Sequence, residues 1–288
     1  RLHQTKHLHM ILMGPQLFLL SCLLAIANSR ATFVPSSPPS HHVFGNRRHL
    51  AATAQMSSLE VEQKFQLSNA EDLEGKLKSL GFVPKGTAFI VDWYFDREDN
   101  FLSIRDCWLR LRQKSGKERW ELKIGRGDQG TTVYEEIEGD QACAVAASVL
   151  AEGGSVATED RNLSKTFDGF LIPHLPIEEP HGLRPFCRLE TKRSSWVAES
   201  NDSTYSGLIV DLDSTNTGHT VGEVETVCRN ESEVAVGKQR VEKLIAELTG
   251  NTKSDGRAAI GKLEHFLLNN RPDHYAACVA SGVLQDTP

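Results

Sequence analysis

The chain has 288 residues, of which 39% are hydrophobic and 24% charged, the composition of a globular protein with one large domain or two small ones. Residues 1–58 contain five Lys or Arg and no acid, so the remaining residues carry 38 acids against 27 bases, a net charge of −11. So acidic a domain argues against nucleic-acid binding, and six widely spaced cysteines without a C-x-x-C pair argue against a zinc ribbon or a disulfide framework.

Residues 1–58 are predicted to be a targeting presequence or a disordered leader. The apolar run LFLLSCLLAIA at 17–27 is typical of a signal-peptide core and is too short to span a membrane. The acid-free segment after it has the composition of a transit peptide, and ATFVP resembles the cleavage motif of two-part leaders for secondary plastids. We expect delivery to a plastid or another organelle, or a cytoplasmic protein if translation starts at Met56. No stable membrane association is expected.

Residues 59–280 are predicted to form one domain of strands with few helices. Four helices are expected, which begin near Ser68, at Asp140, near Asn230 and near Arg257, the last ending before Pro272. Several prolines predict a long loop over 159–185. The strand candidates are 59–67, 87–97, 107–113, 118–125, 131–138, 186–197, 205–213 and 219–228. Consecutive strands with few crossover helices favour an antiparallel barrel, closed or nearly closed, over a doubly wound sheet.

Most of these strands carry ionised side chains on one face and apolar side chains on the other. In the first strand Glu60, Glu62 and Lys64 share a face, because successive side chains of a strand point to opposite sides. A face in bulk water would carry charges of scattered sign, whereas here the signs are sorted by strand. Like charges two residues apart occur at Glu60 and Glu62, Arg110 and Arg112, Asp211 and Asp213, and Glu223 and Glu225.

The repeated like charges indicate counter-ions, because unshielded like charges on one face repel each other. Carboxylates suit Mg²⁺ or Mn²⁺, which prefer oxygen ligands, and Arg and Lys suit phosphate oxygens. We therefore expect a barrel whose charged faces line its interior and whose aliphatic faces lie under helices. The alternative is a set of half-buried strands whose charged faces point to water.

The order of the charged segments also resembles a known family. The E-x-E-x-K motif at residues 60–64 is followed by DWYFD (92–96), WLRLR (108–112), WELK (120–123), TKRSSW (191–196), VDLD (210–213) and VGEVE (221–225). This series is similar to the CYTH superfamily, the triphosphate tunnel metalloenzymes, and within it to the animal-type thiamine triphosphatases. The resemblance implies an α+β fold, a closed eight-stranded antiparallel β-barrel with flanking helices that binds a triphosphate along its tunnel.

The resemblance also implies roles for individual side chains. Glu60, Glu62 and Glu223 are the predicted catalytic residues. The predicted ligands of Mg²⁺, or of Mn²⁺, are Glu60, Glu62, Asp211, Glu223 and Glu225. The predicted substrate contacts are Lys64, Trp108, Arg110, Arg112, Lys123, Glu136, Arg193 and Lys262. Trp108 matches an aromatic that stacks on the organic part of the substrate, and Lys262 matches a lysine that reaches the substrate from a C-terminal helix.

Two positions depart from the spacing or from the family pattern. Arg193 falls on the same alternation as Leu189, and not with Arg188 and Glu190, so we expect a bulge or twist to turn its side chain inward. Glu135 stands where the animal enzymes have a lysine, which predicts weaker phosphate or substrate selectivity.

The function implied by the resemblance is Mg²⁺-dependent hydrolysis of the terminal phosphate of thiamine triphosphate to thiamine diphosphate and phosphate. Three alternatives stay open: an inorganic tripolyphosphatase on the same tunnel fold, a class IV adenylyl cyclase, and a non-catalytic polyphosphate-binding module. The expected partner is a small-molecule triphosphate and not a nucleic acid, and we expect a monomer.

Overall fold

Eight antiparallel strands close into a barrel in the computed structural model of the protein, which confirms the predicted fold class. The structure describes residues 58–67, 70–126, 131–154, 165–175, 182–200, 204–250 and 259–286. The strands are β1 (Ser58–Gln66), β2 (Phe82–Asp96), β3 (Cys107–Lys114), β4 (Lys117–Gly125), β5 (Thr132–Glu138), β6 (Thr166–Phe167), β7 (Phe170–Leu171), β8 (Arg184–Ala198), β9 (Ile209–Thr215) and β10 (Thr220–Cys228). Around the barrel they follow the order β1-β10-β9-β8-β2-β3-β4-β5, and β6 and β7 form a separate small hairpin.

The helices of the described residues flank the barrel. They are α1 (Ala70–Ser79), α2 (Asp140–Glu152), α3 (Glu231–Thr249), α4 (Lys262–Asn270) and α5 (Pro272–Ala280), and a 3-10 turn (Ser103–Arg105) precedes β3. The Asn230 side chain accepts a hydrogen bond from the backbone N–H of Ser232 and so caps α3, while Gly250 ends α3 in the left-handed conformation. The structure therefore confirms the predicted start of α3 near Asn230.

The observed elements differ from the predicted ones at a few ends. β2 begins at Phe82 rather than at residue 87, and β9 begins at Ile209 rather than at residue 205. The predicted loop 159–185 contains the hairpin of β6 and β7 in its described part. A further helix, α5, begins at Pro272, because a proline that cannot continue one helix suits the first turn of the next.

The predicted presequence, residues 1–58, lies outside the described residues except for Ser58, and so does Ser68, the predicted start of the first helix. The presequence and its delivery to an organelle therefore stay predictions. Within the described part of the chain, no helix combines the length and the apolar composition needed to cross a membrane. The five described cysteines are buried and free.

The apolar face of β1 lies under α3, on the outside of the barrel. Val61 and Phe65 belong to a buried cluster that also contains Val241 and Leu244 of α3. Burying an aliphatic or aromatic side chain stabilises a fold by about 1.5–3 kcal/mol, so this contact fixes which face of β1 points outward. The alternating face, with Glu60 and Glu62, must then point into the barrel, as predicted.

Gly222, in β10, leaves space for the ring of Phe65 because it has no side chain. The two residues are register partners, and a Cβ on Gly222 would lie 2.2 Å from Cζ of Phe65. We expect Gly222→Ala to lower the free energy of unfolding by about 1–3 kcal/mol, measured by urea unfolding. Gly75→Ala is the control, because a Cβ there meets nothing within 4 Å and Ala is the better helix former. A Gly222→Ala protein as stable as the wild type would contradict this packing.

The two C-terminal helices pack against the inner faces of β2 and β8. Leu267 of α4 and Tyr275 of α5 form a buried cluster with Tyr94 of β2 and Leu189 of β8. One part of the barrel interior is therefore apolar and covered by α4 and α5. This arrangement brings the N-terminus of α4, with Lys262, to the charged part of the interior.

His274, in α5, is buried without a hydrogen bond to either ring nitrogen in the described part of the chain. It is 3% exposed, and its ring centroid lies 4.6 Å from that of Phe186. Burial, and secondarily the charge of Arg271, lowers the pKa of His274 to about 4. The folded protein thus holds the imidazole neutral, whereas the unfolded chain binds a proton below about pH 6.5.

This difference predicts a loss of stability in acid. The contribution of neutral His274 is complete above about pH 6.5 and is lost as the pH falls towards 4, by about 3 kcal/mol in all. His274→Leu should therefore flatten the dependence of the free energy of unfolding on pH across this range, measured by urea unfolding at several pH values. His174→Gln, at an exposed loop histidine, should leave the slope unchanged. An equal slope in wild type and His274→Leu would contradict the prediction.

Candidate active site

All thirteen predicted site residues line one cavity in the barrel. Its volume of about 2060 Å³ exceeds the ~300–1,000 Å³ of common ligand pockets, because it continues into a surface cleft lined by α1, α3 and α4. The register explains why the residues converge, since partners on neighbouring strands point to the same side. Lys64 is the partner of Glu223, and Trp108 is the partner of Lys123.

Two lysines connect the carboxylates of β1 and β10. Lys123 bonds to Glu60 and lies 2.9 Å from a carboxylate oxygen of Glu62. Lys64 bonds to Glu62 and lies 3.3 Å from Glu223. Burial alone would lower the pKa of Lys64, but Glu62 and Glu223 outweigh it and hold this pKa well above its usual value. Both lysines are therefore firmly protonated and available to an anion.

Arg193 connects the carboxylates of β9 and β10. Its Nε and Nη2 donate to Asp213 over 2.8 and 2.7 Å, and its Nη2 lies 3.4 Å from Glu223. It also bonds to Asp211, and Lys262 bonds to Asp213. The structure thus confirms the predicted inward direction of Arg193 and the approach of Lys262 from a C-terminal helix.

The expected bulge before Arg193 is absent from the described strand, so that prediction was wrong. The pairing of β8 with β2 runs without a shift from Cys187 to Ser195. Leu189 and Arg193 both face the interior, and Arg188 and Glu190 pair with each other on the opposite face. The reason is that Leu189 meets the apolar surface of α4 and α5 inside the barrel. The apolar side chain of Leu189 therefore does not indicate that its face of β8 points outward.

Arg110 and Arg112 are held by two buried acids that the prediction left out. Arg112 forms a two-point contact with Asp92, at 2.7 and 2.8 Å, and Arg110 Nε donates to Glu121 over 2.7 Å. Arg119 donates to the other oxygen of Glu121 over 2.7 Å. Glu121 is fully buried, and although burial favours its neutral form, Arg110 and Arg112 lower its pKa to about 2.

These acids position the arginines for the cavity. The alternation along the sequence already places Asp92, Glu121 and Asp213 on the inward faces of their strands. Only the distances show that these acids contact Arg112, Arg110 and Arg193, respectively. Glu136 also lies within reach of this group, with Arg110 Nη2 3.4 Å from its carboxylate. Glu135 pairs with Arg126 instead.

Glu225 has a different environment from the other acids. It makes no hydrogen bond or ion pair with another described residue. Burial raises its pKa well above the usual value, and the charges of Glu60, Glu223 and Asp211 add to this effect. An unpaired carboxylate beside three others leaves an excess of negative charge that a cation would neutralise.

The donor set fits Mg²⁺ or Mn²⁺, because the converging ligands are all carboxylate oxygens. No group of three acids, histidines or cysteines in the described part of the chain is arranged to hold a metal ion. The lysines and Arg193 explain this, since they occupy Glu60, Glu62, Asp211 and Glu223.

Aromatic side chains line the cavity next to the lysines. Trp108 is half-buried, and its indole N–H donates to Asp106 over 2.7 Å. Tyr134 lies on β5, with the ammonium of Lys123 5.2 Å from its ring centroid. This wall is suited to a flat organic group next to a phosphate chain.

Known proteins are similar to this chain over most of its length. The CYTH domain family matches residues 58–259. The thiamine-triphosphatases of Macaca fascicularis and Homo sapiens are 29% and 30% identical to this chain, and the matches cover 75% of it and 87% of each relative. A solved protein from Vibrio parahaemolyticus matches with 15% identity and a TM-score of 0.47, covering 74% of this chain and 99% of its own. The chain therefore belongs to the CYTH domain family.

Proposed function

We propose that the protein is a metal-dependent triphosphatase that hydrolyses the terminal phosphate of thiamine triphosphate to thiamine diphosphate and phosphate. The observation that carries the proposal is the cavity of the barrel, in which lysines and arginines face carboxylates from neighbouring strands. Phosphate oxygens bind the cations, and a divalent metal binds the acids. The name shared by the two mammalian relatives supports thiamine as the organic part of the substrate.

Substrate binding exchanges the partners of the charged side chains. Lys64, Lys123 and Arg193 each contact a carboxylate, and phosphate oxygens take the place of those carboxylates. The carboxylates of Glu60, Glu62, Asp211, Glu223 and Glu225 would hold the divalent metal once these cations no longer contact them. Mg²⁺ or Mn²⁺, when bound, supplies positive charge that neutralises phosphate oxygens.

The reaction forms one bond at the terminal phosphorus and breaks another. The oxygen of a water molecule bonds to phosphorus while the bridging oxygen leaves with its electron pair as part of the diphosphate. Arg110, Arg112 and Lys123 stabilise the negative charge on the leaving group. A carboxylate of the acid group, Glu60 or Glu223, accepts the proton from water.

One comparison tests the proposal most directly. Hydrolysis of thiamine triphosphate, tripolyphosphate and ATP is measured side by side with Mg²⁺, with Mn²⁺ and with a chelator. We expect the highest kcat/KM for thiamine triphosphate and no turnover in the chelator. Equal or faster hydrolysis of tripolyphosphate would favour the inorganic tripolyphosphatase, cyclic AMP from ATP would favour the cyclase, and binding without turnover would favour the non-catalytic module.

Trp108→Ala distinguishes the two triphosphatases. Stacking of a flat ring on an aromatic side chain contributes about 1–3 kcal/mol, so kcat/KM for thiamine triphosphate should fall about tenfold or more relative to that for tripolyphosphate. Trp108→Phe keeps a ring and should recover part of the loss. Unchanged relative rates in Trp108→Ala would favour the inorganic tripolyphosphatase.

A further inference from the structure

A half-buried carboxylate lies next to Trp108, at the start of β3. Asp106 follows the 3-10 turn Ser103–Arg105 and adopts a left-handed conformation, with φ 56°. Asp and Asn tolerate this conformation better than other residues with a side chain. Its backbone N–H donates to the carbonyl of Ser103 over 3.0 Å, which closes the turn. The side chain lines the same cavity as the predicted site residues.

Gly125, at the end of β4, provides the space for this carboxylate. A Cβ on Gly125 would lie 1.5 Å from Oδ2 of Asp106, so no other residue fits there without moving the acid. The backbone N–H of Gly125 donates to the carbonyl of Asp106 over 2.8 Å, which fixes the two segments together. Tyr134 is the register partner of Gly125 on β5. The acid is therefore built into a wall that also contains Trp108 and Tyr134.

The hydrogen bonds of Asp106 leave part of its charge uncompensated. Oδ1 accepts the indole N–H of Trp108 over 2.7 Å, and Oδ2 has no partner in the described part of the chain. No described Lys or Arg forms an ion pair with Asp106. Burial raises the pKa of Asp106 and the charge of Glu62 adds to this effect, whereas the hydrogen bond from Trp108 and the charge of Lys64 lower this pKa. Asp92, Glu121 and Asp213, by contrast, each contact an arginine.

A carboxylate that forms no ion pair, in a wall that also carries aromatic side chains, is suited to an organic cation. Ring faces attract a cation through their quadrupole, and a nearby carboxylate adds a direct charge interaction. The phosphate-binding lysines lie next to this wall, since Lys123 is the register partner of Trp108. A substrate that carries a triphosphate and a cationic ring would place its phosphates near the lysines and its cationic ring near this wall.

We propose that Asp106 is a specificity-determining residue that, with Trp108 and Tyr134, recognises the positive charge of the organic group attached to the triphosphate. This inference rests on the proposed function, because the thiazolium ring of thiamine carries that charge. Tripolyphosphate and ATP have no such cation and would meet an unneutralised carboxylate at this wall. Asp106 thus selects for the cationic substrate and against the other two.

The test uses variants that separate the charge of Asp106 from its hydrogen bond. Asp106→Asn keeps an oxygen for the Trp108 N–H and tolerates the left-handed conformation but removes the charge. Asp106→Ala removes both. Asp140→Asn removes an equal charge from an exposed position in the first turn of α2 and is the control.

We expect the ratio of kcat/KM for thiamine triphosphate to that for tripolyphosphate to fall about tenfold in Asp106→Asn, mainly through KM for thiamine triphosphate. It should fall further in Asp106→Ala and stay constant in Asp140→Asn. A wild-type ratio in Asp106→Asn would overturn the inference. A loss confined to Asp106→Ala would also overturn it, since Asp106 would then act only by holding Trp108.

A binding measurement separates this inference from the proposed function. The wild-type protein is titrated with thiamine diphosphate and with an analogue in which an uncharged five-membered ring replaces the thiazolium. We expect tighter binding of the cationic compound to the wild type and a preference about tenfold smaller in Asp106→Asn, where only the aromatic rings still attract the cation. Equal binding to the wild type would overturn the inference, even if thiamine triphosphate is hydrolysed. A charge preference that Asp106→Asn lowers about tenfold would support it, even if thiamine triphosphate is not turned over.

Discussion

Replacing Glu223 by Gln is expected to lower kcat for triphosphate hydrolysis about 10²- to 10³-fold, and Glu60→Gln is expected to do the same. Glu223 contacts both Lys64 and Arg193, so it lies where the cations of the cavity meet the acids. The amide keeps the size of the side chain but removes the charge that a divalent cation requires. The measurement is steady-state hydrolysis over a range of Mg²⁺ concentrations.

The fold should survive both substitutions, because the carboxylates lie inside the cavity and not in the apolar clusters. Glu231→Gln, in the exposed first turn of α3, is the matched control and should keep wild-type activity. Thermal unfolding without metal checks that each variant is folded. Full activity in folded Glu60→Gln or Glu223→Gln would remove the acid group from the proposed mechanism.

Glu121→Ala is expected to lower the free energy of unfolding by about 3–5 kcal/mol. The Glu121 carboxylate contacts Arg110, Arg112 and Arg119, and its loss leaves buried guanidinium groups without their counter-ion. For a domain of this size the melting temperature should fall by about 10 °C. Tripolyphosphate should raise the melting temperature of Glu121→Ala by more than it raises that of the wild type, because its oxygens provide new partners for the arginines.

Glu118→Ala is the control for this prediction. Glu118 lies on the same strand as Glu121 but is exposed, with its carboxylate bonded to Gln113. Its removal should change the melting temperature by less than about 2 °C. A small effect of Glu121→Ala, equal to that of Glu118→Ala, would show that the arginines do not depend on Glu121.

The sequence predicted the direction of the charged faces because burial gives each strand only two choices. Val61 and Phe65 needed an apolar neighbour, which α3 provides, so Glu60 and Glu62 had to point the other way. The same argument predicted the inward direction of Arg193 correctly but explained it wrongly, by a bulge or twist. An apolar residue such as Leu189 predicts an outward face, but the barrel interior also holds apolar side chains from α4 and α5.

The ion-pair partners of the inward side chains were harder to predict than the inward direction itself. Whether an inward acid binds a metal or an arginine depends on distances between strands that are far apart in the sequence. Glu121 contacts Arg110 across one strand pair, and Asp213 contacts Arg193 across another. The place of Asp106 was likewise hidden, because it depends on the missing side chain of Gly125.

The position of β1 in the ring has a consequence for how the protein forms. β1 pairs with β5 on one side and with β10 on the other, so pairing of the first described strand with the last closes the barrel. During synthesis the β1 edge stays open until residues 220–228 have emerged, with Glu60 and Glu62 uncovered. Folding dominated by such distant pairings is slow, typically about milliseconds to seconds, and an open strand edge invites pairing with other chains. We therefore expect aggregation to compete with folding mainly before β10 pairs with β1.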